Sequence, residues 1–275
     1  IPSLNYILTS SGWRQEHNGF SHQNPGFIDD ILHKQGNFVH AYFPPDGNST
    51  LAVLKKCLLS RKEINIIVAG KTLEPRWLTP EMVKEELETG LMIWKFASDE
   101  NPDIVLAGVG DYLTKEALAA IDIVKNEAPE IRARFVSILE LTSLGIGRSS
   151  AVSEDHYFEN YFTDDKPVIF NFHGYPQTLK QILFDVRGGV GRFSVHGYTE
   201  HGSTTTPFDM HVRNGTSRYH LALEVFSKMA EGHILDKNKA EELNGKYKQK
   251  IEDHGVYIRK YGVDPDEIEN WQWRR

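Results

Sequence analysis

The chain has a single cysteine, Cys57, in 275 residues. That scarcity excludes an internal disulfide and any zinc centre built from several thiolates, and it fits a reducing compartment. Long apolar runs are also missing. Stretches such as 64–70 fall far short of the roughly 20 residues a membrane-crossing helix needs, and no basic-then-apolar start resembles a secretory leader. The expected location is therefore the cytoplasm, with no membrane partner. Basic stripes are absent too. The formal charge is −7, and residues 1–75 hold seven Lys/Arg against six Asp/Glu, leaving 24 against 32 in the remainder. An acidic body of this kind argues against nucleic acid, whose phosphates need many cationic contacts. A small phosphorylated ligand needs only one or two local cations. Neither His-x-x-x-His at helical spacing nor an HExxH run occurs.

With 40% hydrophobic and 25% charged residues, the chain is ordinary globular material, long enough for one or two domains. Apolar spacing predicts a helix over 25–34, then an aromatic and β-branched strand over 38–43 closed by Pro44-Pro45-Asp46-Gly47. Asn48 or Ser49 is expected to cap a helix running to Leu59, with Leu51, Leu54 and Leu58 facing a core. Cys57 falls at an apolar position of that helix and reads as a small core residue. The near-continuous apolar run 64–69 reads as a strand covered on both faces, as in a parallel sheet. Strand, helix and strand with short joints make a βαβ unit.

Residues 72–100, with Pro75, Pro80 and a charged helical segment over 80–91, read as a surface connector. A second alternation follows: strand 104–109, helix 115–127, strand 134–139, a loop through 163–166, strand 168–172, helix 177–186, strand 192–198 and helix 217–230. This is the pattern of a doubly wound α/β domain. The charged tail from Lys237 reads as one or two surface helices. Trp271 and Trp273 at its end are expected to dock on a neighbouring surface, because exposed aromatic pairs are uncommon.

Chemistry-bearing residues concentrate near the start. The segment 12–26, Gly-Trp-Arg-Gln-Glu-His-Asn-Gly-Phe-Ser-His-Gln-Asn-Pro-Gly, holds two histidines, two asparagines, two glutamines, an arginine and a glutamate between glycines. It reads as a loop whose backbone can approach a polyhydroxylated or phosphorylated molecule, or else as a solvated surface loop. Lys71 directly follows the buried strand 64–69, and Gly70 lets the chain turn there. Its ammonium either reaches the crevice at the carboxyl edge of the sheet or is simply solvated. His173, at the end of an apolar strand, lies at the same kind of edge. His196, His201 and His211 with Asp209 occupy a Gly/Thr-rich segment and read as hydrogen-bonded structure or, alternatively, as a metal or catalytic cluster. The run Gly108-Val109-Gly110-Asp111-Tyr112-Leu113 sits where a dinucleotide fingerprint would, but Leu113 replaces the third glycine, so it reads as a tight turn. The segment 187–192, Arg-Gly-Gly-Val-Gly-Arg, lacks the Lys-Ser/Thr pair of a P-loop and reads as a flexible turn.

The polar loop, together with Pro44-Pro45-Asp46-Gly47-Asn48, Val68-Ala69-Gly70-Lys71 and Ala107-Gly108-Val109-Gly110-Asp111, resembles the C-terminal part of the xylulose 5-phosphate/fructose 6-phosphate phosphoketolases. The resemblance runs along essentially the whole chain and is most specific at the loop. It implies an α/β fold in which residues 1–71 end a pyrimidine-binding-type domain, 72–100 link, and 101–275 form a doubly wound, transketolase C-terminal-like domain with a charged helical tail. A start at Ile1-Pro2, without an initiator Met, fits a chain that enters the middle of a fold. By the same resemblance, Gln15, Asn18 and Lys71 bind the phosphosugar and His22 faces the reacting carbons. The family uses thiamine diphosphate and Mg²⁺, and its Gly-Asp-Gly motif is absent from these residues, so the cofactor's main ligands are expected elsewhere, with no metal ligand in this chain. A phosphorylated ketose and inorganic phosphate are the implied reactants, and a homodimer the implied assembly. Three rival readings stand beside this one: transketolase-like two-carbon transfer, a structural or dimerisation module, and an autonomous nucleotide-binding protein.

Overall fold

The computed structural model describes residues 1–9, 12–14, 25–34, 37–144, 157–184, 191–199 and 204–273. Two sheets form in it. The first holds β1 (Leu4–Leu8), β2 (Val39–Tyr42) and β3 (Ile64–Val68) in the order β1-β3-β2, all parallel. Strands β2 and β3 are joined by α2 (Gly47–Leu59), and α1 (Gly26–Leu32) precedes them. The second sheet has the order β4-β6-β5-β7-β8, built from β4 (Leu91–Ile93), β5 (Ile104–Val109), β6 (Ala133–Ile138), β7 (Val168–Phe172) and β8 (Phe193–His196). Only β4 runs antiparallel to its neighbour.

Alternation along the central strands explains the layering, since successive side chains point to opposite faces. Ile104, Leu106, Ala133, Phe135 and Ile169 face a core shared with α4 (Asp111–Glu127), α8 (Arg218–Glu231) and α9 (Lys237–Tyr261). Val105, Ala107, Val136, Ile138, Phe170 and Phe172 face the other side, where α5 (Tyr157–Phe162) and α6 (Pro176–Leu183) pack. That second core also takes in Ala41, Phe43, Ile66 and Val68 of the first sheet and Ile28 and Leu32 of α1. The two sheets therefore share one apolar layer. A backbone bond from Phe43 N to the Leu139 carbonyl (2.7 Å) and a bridge between Tyr42 and Glu140 tie their ends together.

The core helices carry their own polar fastenings. Glu116 of α4 and Arg218 of α8 form a buried, two-pronged ion pair, with Nη2 to Oε1 at 2.6 Å and Nε to Oε2 at 3.0 Å. Trp271 donates to Asp122 and Trp273 packs on Phe96, so both terminal tryptophans are docked as their pairing implied. Cys57 is buried, and burial pushes its thiol up to about 11.

Three sequence expectations need correction. The cap of α2 is Asp46, whose carboxylate accepts from Ser49 N at 2.8 Å and from the backbone N–H groups of Trp77 and Leu78 at 2.8 and 3.0 Å. Those bonds rotate α2 so that Ser49, Val53 and Cys57 face inward. Leu51 and Leu58 are instead 70% and 67% exposed. Stripes 49/53/57 and 51/54/58 both fit helical spacing, and the cap selects the first. The stretch 72–100 does not lie on the surface: Trp77, Leu78, Val83, Met92, Trp94 and Ala97 are buried. It contributes α3 (Pro80–Thr89) as well as β4, which pairs with β6. Short β1 and α7 (Pro207–Arg213) were not expected, although Thr206 and Pro207 form an ordinary helix start, with the Thr206 hydroxyl accepting from Asp209 N.

Candidate functional site

Strand β3 delivers Lys71 to the carboxyl end of the first sheet. Its residues Asn65 to Val68 are fully buried, and the chain surfaces at once, leaving Lys71 exposed with no hydrogen bond or ion pair to any described residue. The backbone around it is held by the other sheet. Asp111, in the first turn of α4, accepts from Gly70 N through Oδ2 at 2.6 Å and from Tyr112 N through Oδ1 at 2.8 Å. Tyr112 reaches Thr72, with 2.5 Å between the two hydroxyl oxygens. Gly70 is required by this approach: a Cβ there would lie 2.5 Å from the Tyr112 hydroxyl and 2.6 Å from Asp111 Oδ2. Burial pushes the Asp111 carboxyl up to about 6 although two backbone N–H groups favour its charge.

Gly110 places Asp111. It has φ +102, a conformation glycine adopts freely, and a Cβ on it would come within 3.1 Å of His173. The glycine run after β5 is thus a structural turn, and the crevice beyond it is filled by protein. Trp13, at the root of the polar loop, is wholly buried there. Its indole N–H donates to the His173 carbonyl (3.1 Å), its ring stacks on His211 (centroids 4.6 Å, 8° between planes), and Tyr198 meets it edge-on at 5.6 Å.

Arg14 continues the connection. Burial works against its charge, but its guanidinium is 2.5 Å from Glu269 and 3.5 Å from Glu74, and these carboxylates hold it ionised. Glu74 also takes Lys115 of α4 at 3.2 Å. The space among Trp13, Arg14, Glu74, Lys115, His211 and Arg218 is about 20 Å³, room for about one water.

Of the residues expected to carry chemistry, Lys71 stands exposed at this junction, while Gln15, Asn18 and His22 lie outside the described residues. The described neighbours of both segments, Trp13 and Arg14 on one side and Gly70 and Thr72 on the other, are anchored to the same turn of α4. His173 and His211 lie together against Trp13. Burial pushes His173 and His211 each down to about 4, so both are neutral at pH 7, and they serve Trp13. His196 pairs with Glu224 at 2.5 Å on the far strand, and His201 is outside the described residues. Among the described residues no three His, Cys, Asp or Glu side chains are placed to hold a metal ion. Sequence reading missed Asp111, Tyr112 and Trp13 as parts of this junction. The one available signal was a tryptophan in an otherwise polar loop.

Comparison with known proteins agrees with this architecture. Residues 71–273 match the model of the XFP C-terminal domain, and residues 1–60 match that of the D-xylulose 5-phosphate/D-fructose 6-phosphate phosphoketolases. Curated relatives include a probable phosphoketolase of Brucella suis biovar 1 (strain 1330), 42% identical over 99% of this chain and 34% of its own length. Another, from Rhodopseudomonas palustris (strain TIE-1), is 43% identical with the same coverage. The chain thus spans about a third of the length of the curated relatives it matches. Transketolase from Leishmania mexicana shares the fold, with a TM-score of 0.62 over 82% of this chain and 30% of that one, at 14% identity. A split gene transketolase, described as an inactive beta4 tetramer, gives 0.54 over 83% of this chain and 66% of that one, at 18% identity. On the match of residues 71–273, and with relatives alike along nearly its whole length, the chain belongs to the phosphoketolase family, of which it carries the C-terminal domain.

Proposed function

We propose that the complete protein cleaves xylulose 5-phosphate or fructose 6-phosphate with inorganic phosphate, giving acetyl phosphate, a shortened aldose phosphate and water. This chain's part is to receive the phosphosugar. The observation that carries the reading is the presentation of Lys71: an exposed ammonium without a partner among the described residues, with Gly70 before it held through its backbone N–H and Thr72 after it held through its hydroxyl. A compact, mobile point charge suits a phosphate that must arrive and leave. In the loop, Gln15 and Asn18 bind the sugar. His22 donates the proton that the departing hydroxyl takes, as a histidine titrating near neutrality can.

Among the described residues no three carboxylate, histidine or cysteine side chains converge on a point that could hold a metal ion. On this reading the cofactor and Mg²⁺ are held by other segments, and the enzyme is a cytoplasmic homodimer. Exposed Leu51, Leu58 and Leu59 on α2, and Leu4 and Ile7 on the edge strand β1, support an assembly in which further chain covers these side chains. Residues 1–71 close a pyrimidine-binding-type domain and 101–275 form the C-terminal one, with 72–100 joining them while packed on the second sheet.

The test uses the full-length enzyme with fructose 6-phosphate and inorganic phosphate as sole substrates. Acetyl phosphate should form. Lys71→Ala should chiefly raise KM for the phosphosugar, and His22→Ala should nearly abolish turnover. Near-normal turnover by His22→Ala, or two-carbon transfer only when an aldose acceptor is supplied, would overturn the assignment, the latter in favour of transketolase-like chemistry.

A further inference from the structure

We propose that Asp111 and Tyr112 are positioning residues for Lys71, holding Gly70 by its backbone N–H and Thr72 by its side-chain hydroxyl, so that the root of the lysine is fixed while its ammonium can move. The inference rests on the reading of Lys71 as the phosphate contact. Three separate features lead to it. The Asp111 carboxylate holds Gly70 N at 2.6 Å, and the Tyr112 hydroxyl meets Thr72 Oγ1 at 2.5 Å, so the residues before and after Lys71 are each tied to α4. Gly70 has no room for a side chain because these same two groups press against its Cα. Both pins sit on a short, rigid base: Asp111 and Tyr112 open a 17-residue helix whose buried face runs through Ile121, and Gly110 and His173 fix where it starts.

The geometry separates two demands on a phosphate-binding lysine. The ammonium has to be flexible, while its root has to stay in place relative to the rest of the site. Free rotation of φ and ψ at Gly70 would otherwise swing the side chain away, because glycine has the widest choice of backbone conformations. On this reading the two pins bear on the sugar only through Lys71. Their contribution is to keep the lysine's starting point at the junction where the polar loop is also anchored.

In the full-length holoenzyme, Asp111→Ala should raise KM for fructose 6-phosphate about tenfold with kcat within about twofold, the scale of one well-placed hydrogen bond to a charged group. Tyr112→Phe, which removes only the hydroxyl, should shift KM in the same direction by a smaller factor. In a Lys71→Ala background each change should add less than about twofold, because there is no longer a lysine to place. Asp111→Asn keeps one acceptor oxygen and should rescue part of the loss. If Asp111→Ala fails to fold, Tyr112→Phe and Asp111→Asn carry the test. Should Lys71→Ala leave KM unchanged, the phosphate reading itself is wrong and the inference goes with it. Should Lys71→Ala raise KM while the pin variants do not, or should their effects multiply with it, positioning is refuted and the phosphate reading survives.

Discussion

Glu86 offers a direct test of how burial acts in this fold. It lies on α3, wholly enclosed, and neither of its carboxyl oxygens has a well-formed hydrogen bond among the described residues. Burial pushes its pKa from 4.5 up to about 8; the nearby Ser137 hydroxyl works against that shift and the Asp46 carboxylate adds to it. The folded chain therefore holds this proton more tightly than the unfolded chain does. The resulting stabilisation is fully present below about pH 4.5 and is lost as pH rises through about 8. Other buried groups titrate lower. Asp111, pushed up to about 6, has nearly finished titrating at pH 6.5, whereas His173 and His211, pushed from 6.5 down to about 4, add stability until about pH 7.5 because the unfolded chain still binds their protons. Those contributions are common to the wild type and to a Glu86 variant, so the difference between the two isolates Glu86, whose extra proton on the folded state costs about 1.4 kcal/mol per pH unit between the two pKa values. Urea unfolding at pH 6.5 and 7.5 should show Glu86→Gln, neutral at both, gaining about 1 kcal/mol on the wild-type chain across the interval and standing about 3–4 kcal/mol more stable at pH 7.5. Equal slopes for the two proteins, or a difference that narrows as pH rises, would refute the reasoning.

Two further perturbations probe the fastenings around the junction. Asp46→Ala removes the cap of α2 and strands the N–H groups of Trp77 and Leu78, so urea unfolding should show a loss of about 3–5 kcal/mol, with Asp46→Asn losing less because one acceptor remains. A loss below about 1 kcal/mol would mean those bonds form equally well to water. Trp13→Ala empties the crevice between His173, His211 and Tyr198, and a loss of about 3–5 kcal/mol is expected by the same assay. An unchanged midpoint would show that the indole is not seated there.

The parts of this architecture that could be read from sequence are those dictated by local pattern. Strands β3, β5 and β7 are near-continuous apolar runs, broken only by Asn65 in β3 and Asn171 in β7, and a strand buried on both faces leaves that mark wherever it occurs. Helix α2 was legible as a helix but not in its rotation, because Asp46 is fixed by partners about 30 residues along the chain. β4 has three residues, too few for any period to register. At the site, Lys71 was legible from its place after a buried strand. Asp111 and Tyr112 were not, since a carboxylate opening a helix has many ordinary explanations and its partner, Gly70, is 41 positions away. Trp13 was concealed by its company: the side chain that makes the deepest contact is the least typical member of its loop.

The burial of that indole also bears on how the molecule can be taken apart. A cut made where the family's C-terminal match begins, at residue 71, would release a piece carrying an open aromatic slot and a Glu269 carboxylate stripped of its Arg14 partner. Anyone wishing to transplant the second sheet as a stand-alone scaffold would have to graft the Gly12-Trp13-Arg14 tripeptide with it, or refill the slot.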